Sequence, residues 1–570
     1  MVVLGLNIYG HDTAAAIVKD GELIAAIEEE RLSRKKHDRD FPYLAIEYCL
    51  KEASLTLNEI DCLAVSKDFD KLFKEKYLQY TLDNYPKANE LFLGGIDNIK
   101  EITNVENEIR ETLQYNGKIK YCLHHVCHIS SSYHLSGFEE SAVLSVDGLG
   151  ENDTTVLGHG KNGKITILDS IKFPHSLGML YQAFTYFLGF TPNSAEGTVM
   201  ALASFGDENS KNAQGVAYID IFRDMINLHD DGTFSFNLEY FNYPFTRKGW
   251  VSEKTVELLG EKRKNSDEIL QKHKDIAAAL QKVFEETYVH LAVALQKKTG
   301  LKKLSVAGGC ALNCVANAKI LNETEFDDIY IQPAASDSGT AIGAALNTYR
   351  ELSKKELNVK RVNTTYLGAA FSDAEIKKVF DDEKIEYVYL ENPSIKAAQL
   401  LYEGSVVGWF QGKMEFGPRA LGNRSILSAP FPLAKKDYVN NEIKHREWFR
   451  PFAPSVLKDK AADYFKINCD SPFMLMAFDI VEDKLKDVEA IAHVDNTARI
   501  QMVTKETNEK YYELISEFYK LSGVPVVLNT SFNDKGEPIV CSPKDAIKSF
   551  YSTGLDYVII GNYLVKNEKR

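Results

Sequence analysis

The densest chemistry in the chain lies in five residues, His124-His125-Val126-Cys127-His128. His124 and His128 are four apart, so on a helix they share one face and can bind one metal. His125 points elsewhere and reads as a support for those ligands or a substrate contact. Asp147 ends the apolar run Ala142–Val146 and precedes Gly148 and Gly150 in VDGLGE. A carboxylate at a strand's end, with glycines behind it, commonly holds metal or phosphate. Asp337, in AASDSG before a helix start, is a second such carboxylate. Two imidazoles with two carboxylates suit Fe(II), Mn(II) or Zn(II) better than Mg or Ca. Cys127, Cys310 and Cys314 offer a zinc alternative, although packing as small apolar residues accounts for them more simply.

Gly10-His11-Asp12 falls in the first turn of the chain. A histidine there titrates near working pH and can take a proton from an attacking hydroxyl, which makes His11 a candidate general base. AGGCALN, Ala307–Asn313, runs from a strand through Gly308 and Gly309 to a helix start, where bare amides suit a nucleotide. Gly-Gly turns are common, and this run is weak by itself. Toward the C-terminal end arginine takes over. FGPRALGNRS (Phe416–Ser425), KHREWFRPFAPS (Lys444–Ser455), HVDNTARIQ (His493–Gln501) and LNTSFN (Leu528–Asn533) set Arg419, Arg424, Arg446, Arg450 and Arg499 among turn-formers and apolar strands. Guanidinium forks grouped this way predict a small dianion as ligand. Ion pairing with the chain's own carboxylates is the plain alternative.

These residues need a scaffold, and the chain supplies α/β signals throughout. Val2–Leu6, Ala14–Val18 and Leu23–Ile27 are three β-type runs so close together that they predict a meander. Strands follow at Cys62–Ser66, Ala142–Val146, Thr154–Gly158, Ile165–Ile171 and Leu304–Ala307, with a long helix over Lys272–Lys298. Residues Asp68–Leu113 read as an inserted helical segment. At 570 residues the chain exceeds one core, so two large domains are expected. The polar stretch Glu351–Asn363 is the best linker, and Val406–Phe410, Pro454–Val456, Ile500–Val503 and Val524–Leu528 mark a second α/β domain. The formal charge of −14 disfavours nucleic acid as a partner. No apolar run reaches the length of a membrane span, and MVVLGLNIYG reads as a strand and not a signal peptide. Eight cysteines without a CxxC pair fit a reduced, cytoplasmic protein.

Taken together, GLNIYGHDTAAAIV, EEERLSRKKH, HHVCHISSSYHLSGF, VDGLGE, AGGCALNCVAN, PAASDSGTAIGAA and the four arginine-rich runs resemble the O-carbamoyltransferase family. That family carbamoylates aminoglycoside, cephem and nodulation-factor hydroxyls, and the resemblance covers essentially the whole chain. It implies an actin/Hsp70-like two-lobed N-terminal domain over 1–355, with an insertion at about 68–113. This part resembles the metal-binding transferase that makes threonylcarbamoyl-adenosine in tRNA. A C-terminal α/β domain over 356–570 resembles the threonylcarbamoyl-adenylate-forming fold. The resemblance also implies that His124, His128, Asp147 and Asp337 hold a divalent metal, iron foremost, with manganese and zinc as alternatives. His11 would be the general base. Arg419, Arg450, Arg499 and Asn529 would bind carbamoyl phosphate as donor. Lys36, Gly148, Gly150, Gly308, Gly309 and Asn313 are expected near the adenylate made from ATP and its Mg.

The implied reaction is ATP-dependent O-carbamoylation of a small-molecule natural product, with no nucleic acid or membrane partner expected. Oligomeric state has no signature in the sequence. One departure is Thr198, in EGT before VMALA, where related chains read EGK; no role is carried over to it. A tRNA-modifying threonylcarbamoyl-type transferase is the alternative, disfavoured by the fused arginine-rich domain and the net charge. A hydrogenase-maturation carbamoyltransferase would bring zinc-finger CxxC pairs, and a non-catalytic nucleotide-binding module would leave HHVCH unexplained. The segments Asp68–Leu113 and Ala217–Leu270 match no motif and are the expected specificity regions. Their acidity hints at a cationic acceptor, an amine or guanidinium.

Overall fold

The computed structural model describes residues 1–355, 357 and 360–568. Of the linker expected over Glu351–Asn363, residues Glu356, Asn358 and Val359 lie outside the described residues. The chain forms two compact units, one of Met1–Ile24, Arg39–Pro42 and Cys49–Arg361, the other of Ala25–Asp38, Tyr43–Tyr48 and Val362–Arg570. The EEERLSRKKH run therefore belongs with the second unit. There Arg31 Nη2 donates to the Gly417 carbonyl at 2.9 Å, and Arg34 Nη1 donates to that of Ile539 at 2.7 Å.

The first unit holds, apart from Ala25–Glu28 at the end of one strand, two five-stranded sheets of one design. In the first, β1 (Val2–Asn7), β2 (Ala14–Lys19), β3 (Glu22–Glu28), β4 (Cys62–Val65) and β5 (Ile119–Tyr121) run in the order β3-β2-β1-β4-β5. β1 pairs antiparallel with β2 and parallel with β4, and β4 is parallel to β5. The second sheet has β6 (Glu140–Val146), β7 (Asp153–Lys161) and β8 (Lys164–Lys172). After a small hairpin of β9 (Ile226–Leu228) and β10 (Phe234–Phe236), it is completed by β11 (Lys303–Ala307) and β12 (Asp328–Ile331). Its order, β12-β11-β6-β7-β8, repeats the first, with an antiparallel meander followed by parallel strands. A meander plus two parallel strands, given twice, is the actin/Hsp70 topology. β1, β4 and β6, in the middle of the sheets, are buried almost end to end, as strands covered by helices must be. Short helices fill the expected insertion between β4 and β5, from Phe69–Lys71 to Val105–Leu113.

The second unit is built on a mixed eight-stranded sheet. Its strands are β13 (Val388–Tyr389), β14 (Val407–Phe410), β15 (Arg424–Ser428), β16 (Ala453–Leu457), β19 (Gln501–Val503), β20 (Val526–Ser531), β21 (Tyr557–Ile560) and β22 (Tyr563–Lys566). They run in the order β13-β22-β21-β14-β15-β20-β16-β19, with β17 (Ala477–Asp479) and β18 (Thr497–Arg499) as a separate pair. The chain is thus mixed α/β throughout.

Helix His124–Tyr133 packs on helix Thr340–Ser353, and each follows the last strand of its sheet. Their backbones meet at Gly343, where an added Cβ would come within 1.8 Å of the Cys127 carbonyl oxygen. No side-chain adjustment relieves a clash with backbone. Gly343→Ala is therefore expected to cost the upper end of roughly 1–3 kcal/mol of stability. A thermal melt should show a midpoint several degrees lower, and an unchanged midpoint would contradict this packing.

Candidate functional site

Helix His124–Tyr133 starts without a capping side chain at Leu123. The buried Glu151 takes that part: its carboxylate accepts the His124 N–H at 3.0 Å and the Asp68 N–H at 2.9 Å. The same helix brings His124 and His128 over each other, with their Nε2 atoms 3.1 Å apart. His124 Nδ1 faces the Ser66 carbonyl at 3.3 Å, which turns Nε2 inward. Asp147 Oδ2 lies 3.4 Å from His124 Nε2 and 3.9 Å from His128 Nε2. Asp337 Oδ1 lies 3.5 and 3.7 Å from the same two atoms. The four expected ligands thus converge, one atom from each within 4.8 Å of the others.

The residues fit a divalent cation. Two Nε2 atoms at 3.1 Å leave space for one proton or cation, not for two N–H groups facing each other. Burial and Lys67 oppose a charged His124, but Asp337 and Asp147 outweigh them and lift its pKa to about 9. Against their own burial, Asp147 and Asp337 are held below the usual carboxylate range by the histidines. The group calls for positive charge at its centre, and two nitrogens with two oxygens could hold iron, manganese or zinc.

Each carboxylate spends its other oxygen on a backbone amide. Gly309 N–H donates to Asp147 Oδ1 at 2.8 Å, and His11 N–H donates to Asp337 Oδ2 at 3.4 Å. Gly308 adopts a φ of +97°, and a Cβ there would sit 2.2 Å from the Val146 carbonyl oxygen. His11 Nδ1 pairs with Asp12 Oδ2 at 2.7 Å, and Nε2 meets the Asn193 carbonyl at 2.6 Å. Burial opposes its charge, but the bond to Asp12 and the charges of Asp12 and Asp337 raise it to about 9. Asn7 fixes this turn by donating to the carbonyls of His11 and Asp12, both at 3.0 Å.

Other residues singled out in the sequence take internal roles. His125 is no substrate contact: its Nδ1 meets Ser145 Oγ at 2.8 Å and its Nε2 the Asp153 carbonyl at 2.9 Å. Burial, and then the charge of His124, push it down to about 3. Gly150 lets the VDGLGE turn lie on the His125 ring, 2.8 Å from where its Cβ would stand. Gly148 lies beside Gly178, and Ser176 Oγ donates to its carbonyl at 2.7 Å. Asn313 caps helix Cys314–Glu323 and exchanges hydrogen bonds with Gln281. The Gly309 amide and the Asn313 side chain, expected at a nucleotide, thus both have partners inside the unit. Thr198 is buried in helix Glu196–Ala203.

Residues 2–346 match the family profile described as Carbamoyltransferase N-terminus, and residues 398–567 that described as Carbamoyltransferase C-terminus. The chain belongs to the carbamoyltransferase family. It is 40% identical to the uncharacterized protein sll1178 of Synechocystis sp., over 99% of this chain and 96% of that one. Nodulation protein NolNO of Sinorhizobium fredii is 37% identical, over 98% of this chain and 79% of its own length. The 3'-hydroxymethylcephem-O-carbamoyltransferase of Amycolatopsis lactamdurans is 26% identical over 97% of each chain.

In the second unit of this carbamoyltransferase, Arg446, Arg450 and Arg499 are close enough to act on one another. Burial first, then Arg450, hold Arg446 below the usual guanidinium range, and burial holds Arg450 below it against Glu447, with Arg499 adding to both. Lys444, which the sequence reading passed over, joins them. Its ammonium donates to the carbonyls of Ser531 and Asn533, both at 2.9 Å, and to Asn533 Oδ1 at 2.7 Å. Burial, then Arg446 and the nearby Lys36, hold it far below an ordinary lysine. Asn529 is buried, donates to Ser455 Oγ at 3.0 Å, and leaves its own Oδ1 without a partner. Arg424 is different. Its guanidinium is ringed by the carbonyls of Gln411, Gly412, Asn423 and Ala369, and it stacks 3.6 Å from the Phe410 ring centre. It is a strut of the unit. The unpatterned residues Glu151 and Lys444 show what sequence reading misses, although both lie inside quoted runs.

Purified protein equilibrated with Fe(II) or Mn(II) should retain a divalent ion, and His128→Ala should lose it. Glu151→Ala should keep its fold but bind the ion roughly 10–100-fold more weakly, because the helix start that aims His124 is no longer held. Metal analysis after gel filtration decides both outcomes.

Proposed function

We propose that this carbamoyltransferase makes carbamoyl-adenylate from carbamoyl phosphate and ATP, then moves the carbamoyl group to a hydroxyl of a small-molecule natural product. The observation that carries the reading is a histidine–aspartate pair, His11 and Asp12, whose backbone bonds a carboxylate of the four-ligand centre. A hydroxyl acceptor needs a group to take its proton beside a site for the activated donor. His11 is that group, with Asp12 setting the ring so that Nε2 faces outward from the pair. With a pKa of about 9 the ring is protonated between Asp12 and the Asn193 carbonyl, so His11 serves as base only after Nε2 leaves that carbonyl and sheds its proton.

In the first stage, carbamoyl phosphate binds Arg419 and the cationic cluster of Arg450, Arg499 and Lys444, and water hydrolyses it at the carbamoyl carbon to carbamate and phosphate. A carbamate oxygen then attacks the α-phosphorus of ATP, and pyrophosphate leaves. Lys36, in the same unit as Lys444, adds positive charge for the phosphates. The open Oδ1 of Asn529 suits it to accept a hydrogen bond from the carbamoyl N–H. In the second stage the acceptor oxygen attacks the carbamoyl carbon, the bond from that carbon to the adenylate oxygen breaks, and AMP leaves. The proton passes to His11. His124, His128, Asp147 and Asp337 would hold the divalent metal, iron foremost, and a bound cation supplies Lewis-acid charge for a phosphate and a carbonyl. The cephem enzyme's name states O-carbamoylation of a hydroxymethyl group, which is the reaction type proposed here.

The two stages separate experimentally. Incubated with carbamoyl phosphate and ATP but no acceptor, the wild-type protein should release pyrophosphate; silence would end the two-stage scheme. His11→Asn should keep that release while losing transfer by about 100-fold or more, the range of a lost general base. Arg450→Ala should lose the first stage itself, with a raised KM for carbamoyl phosphate.

A further inference from the structure

Three cations of the first unit stand together: Lys67, Lys76 and Arg247. Among the described residues, none of the three side chains forms an ion pair or a hydrogen bond with another side chain. Lys67 follows Ser66, whose carbonyl faces His124. Lys76 belongs to the insertion after β4, and Arg247 to the 217–270 segment. Both segments were read as specificity regions, and their acidity as a sign of a cationic acceptor. Several of the acids are spent in exposed pairs: Asp70 with Lys74, Asp97 with Lys100, Glu106 with Arg110 and Glu90 with Lys248. Glu101 and Glu108 act on each other and on Tyr9, whereas the three cations form a group of their own.

The cations sit against rings. Lys76 Nζ lies 4.9 Å from the Phe173 ring centre and 5.6 Å from that of Tyr77. Phe173 packs edge-on to Tyr80 at 4.7 Å and reaches Tyr243 at 6.3 Å. At Gly95 a Cβ would meet Tyr77 Cε1 at 2.9 Å and Arg247 Nη2 at 3.1 Å, so that guanidinium and the Tyr77 ring converge there. Thr246 and Lys248, on either side of Arg247, both bind Glu90, yet Arg247 does not. Burial first, then Arg247 and Lys67, push the Lys76 ammonium down to about 7, with no carboxylate offsetting them.

This wall is tied to the four-ligand centre. Ser176, three residues after Phe173, donates to the Asp147 and Gly148 carbonyls at 3.2 and 2.7 Å. Lys67 joins the two, since the carbonyl of Ser66 just before it faces His124 Nδ1 at 3.3 Å and Lys67 acts on Lys76. Like charges gathered without a counter-charge disfavour their own ionisation, and an anion relieves all of them at once.

We propose that the hydroxyl acceptor carries an anionic group, a carboxylate, phosphate or sulfate, which Lys76 and Arg247 hold beside Tyr77 and Phe173. The inference rests on the O-carbamoyl transfer proposed above and names the charge class of its acceptor. The aromatic wall suits the apolar face of a ring that bears the anionic group.

Matched sugars test it: methyl glucoside, methyl glucosaminide, methyl glucuronide and glucose 6-phosphate, each with carbamoyl phosphate, ATP and the full-length protein. Pyrophosphate release without acceptor is measured first, and its absence would count against the reaction, not against the charge class. Given that release, mass spectrometry should find carbamate on an anionic sugar and little on the glucoside or glucosaminide. Lys76→Gln and Arg247→Gln should each raise KM for the anionic sugar by roughly tenfold, with acceptor-free pyrophosphate release unchanged. The proposal is overturned by turnover confined to neutral or cationic sugars, by no turnover of either anionic sugar while adenylate forms, or by variants that slow pyrophosphate release as much as transfer.

Discussion

Asp147 and Asp337 are carboxylates almost out of water, facing two imidazoles that are fully buried. Taking ions out of water costs several kcal/mol each unless opposite charge and hydrogen bonds offset it. The surrounding backbone answers that cost in the same way at both acids. One oxygen of each receives an amide N–H, from Gly309 or from His11, and the other turns to the histidines. Both amides come from tight turns. Gly308 has a left-handed backbone there, and a Cβ at Gly10 would stand 3.2 Å from Asp337 Oδ2. Gly308, expected near a nucleotide, thus serves a carboxylate, as Gly10 does, by letting the chain approach it.

The duplicated topology explains where these groups arise. His11 lies in the turn after β1, the first strand of its sheet, and Asp147 in the turn after β6, the first strand of the other. His124 opens the helix after β5, and Asp337 begins the turn that opens the helix after β12, so both follow a fifth strand. The centre is therefore assembled from two pairs of equivalent positions. Each pair offers one imidazole and one carboxylate. In this arrangement only His128 comes from the body of an element, one helical turn beyond His124.

The parts of the site that were legible were those with a local signature. The i,i+4 spacing of His124 and His128 survives folding because a helix carries it, and Asp147 and Asp337 stand where strands and helix starts are written in local pattern. The meander and the long helix Gln271–Thr299 were legible for the same reason. What depended on contacts distant in sequence was not. Glu151 caps a helix 27 residues earlier, and the repeat of sheet order has no counterpart in residue identity. The assignment of Ala25–Asp38 to the second unit depends on carbonyls at Gly417, Pro538 and Ile539. Composition was the poorest guide, since the acidity of the two unpatterned segments includes acids that are already paired with lysine or arginine on the surface.

A cation's role is decided by what answers its charge, and burial alone does not say. Arg424 is fully buried, and burial pushes it down to about 10 against the charge of Glu415, while a ring of carbonyl oxygens and the Phe410 face surround it in place of water. That is a completed structural interaction, and adding an anion would displace bonds already made. Arg446 and Arg450 have other guanidinium groups among their chief neighbours, and Lys76 has Arg247 and Lys67. Folding does not favour such groupings for their own sake, since each member raises the cost of ionising the next. The excess positive charge in each unit marks where an incoming anion lowers the free energy most. On that criterion the cluster of the second unit supports the phosphate-bearing donor proposed above. The basic group beside the aromatic wall of the first unit supports, by the same reasoning, the proposal of an anionic acceptor.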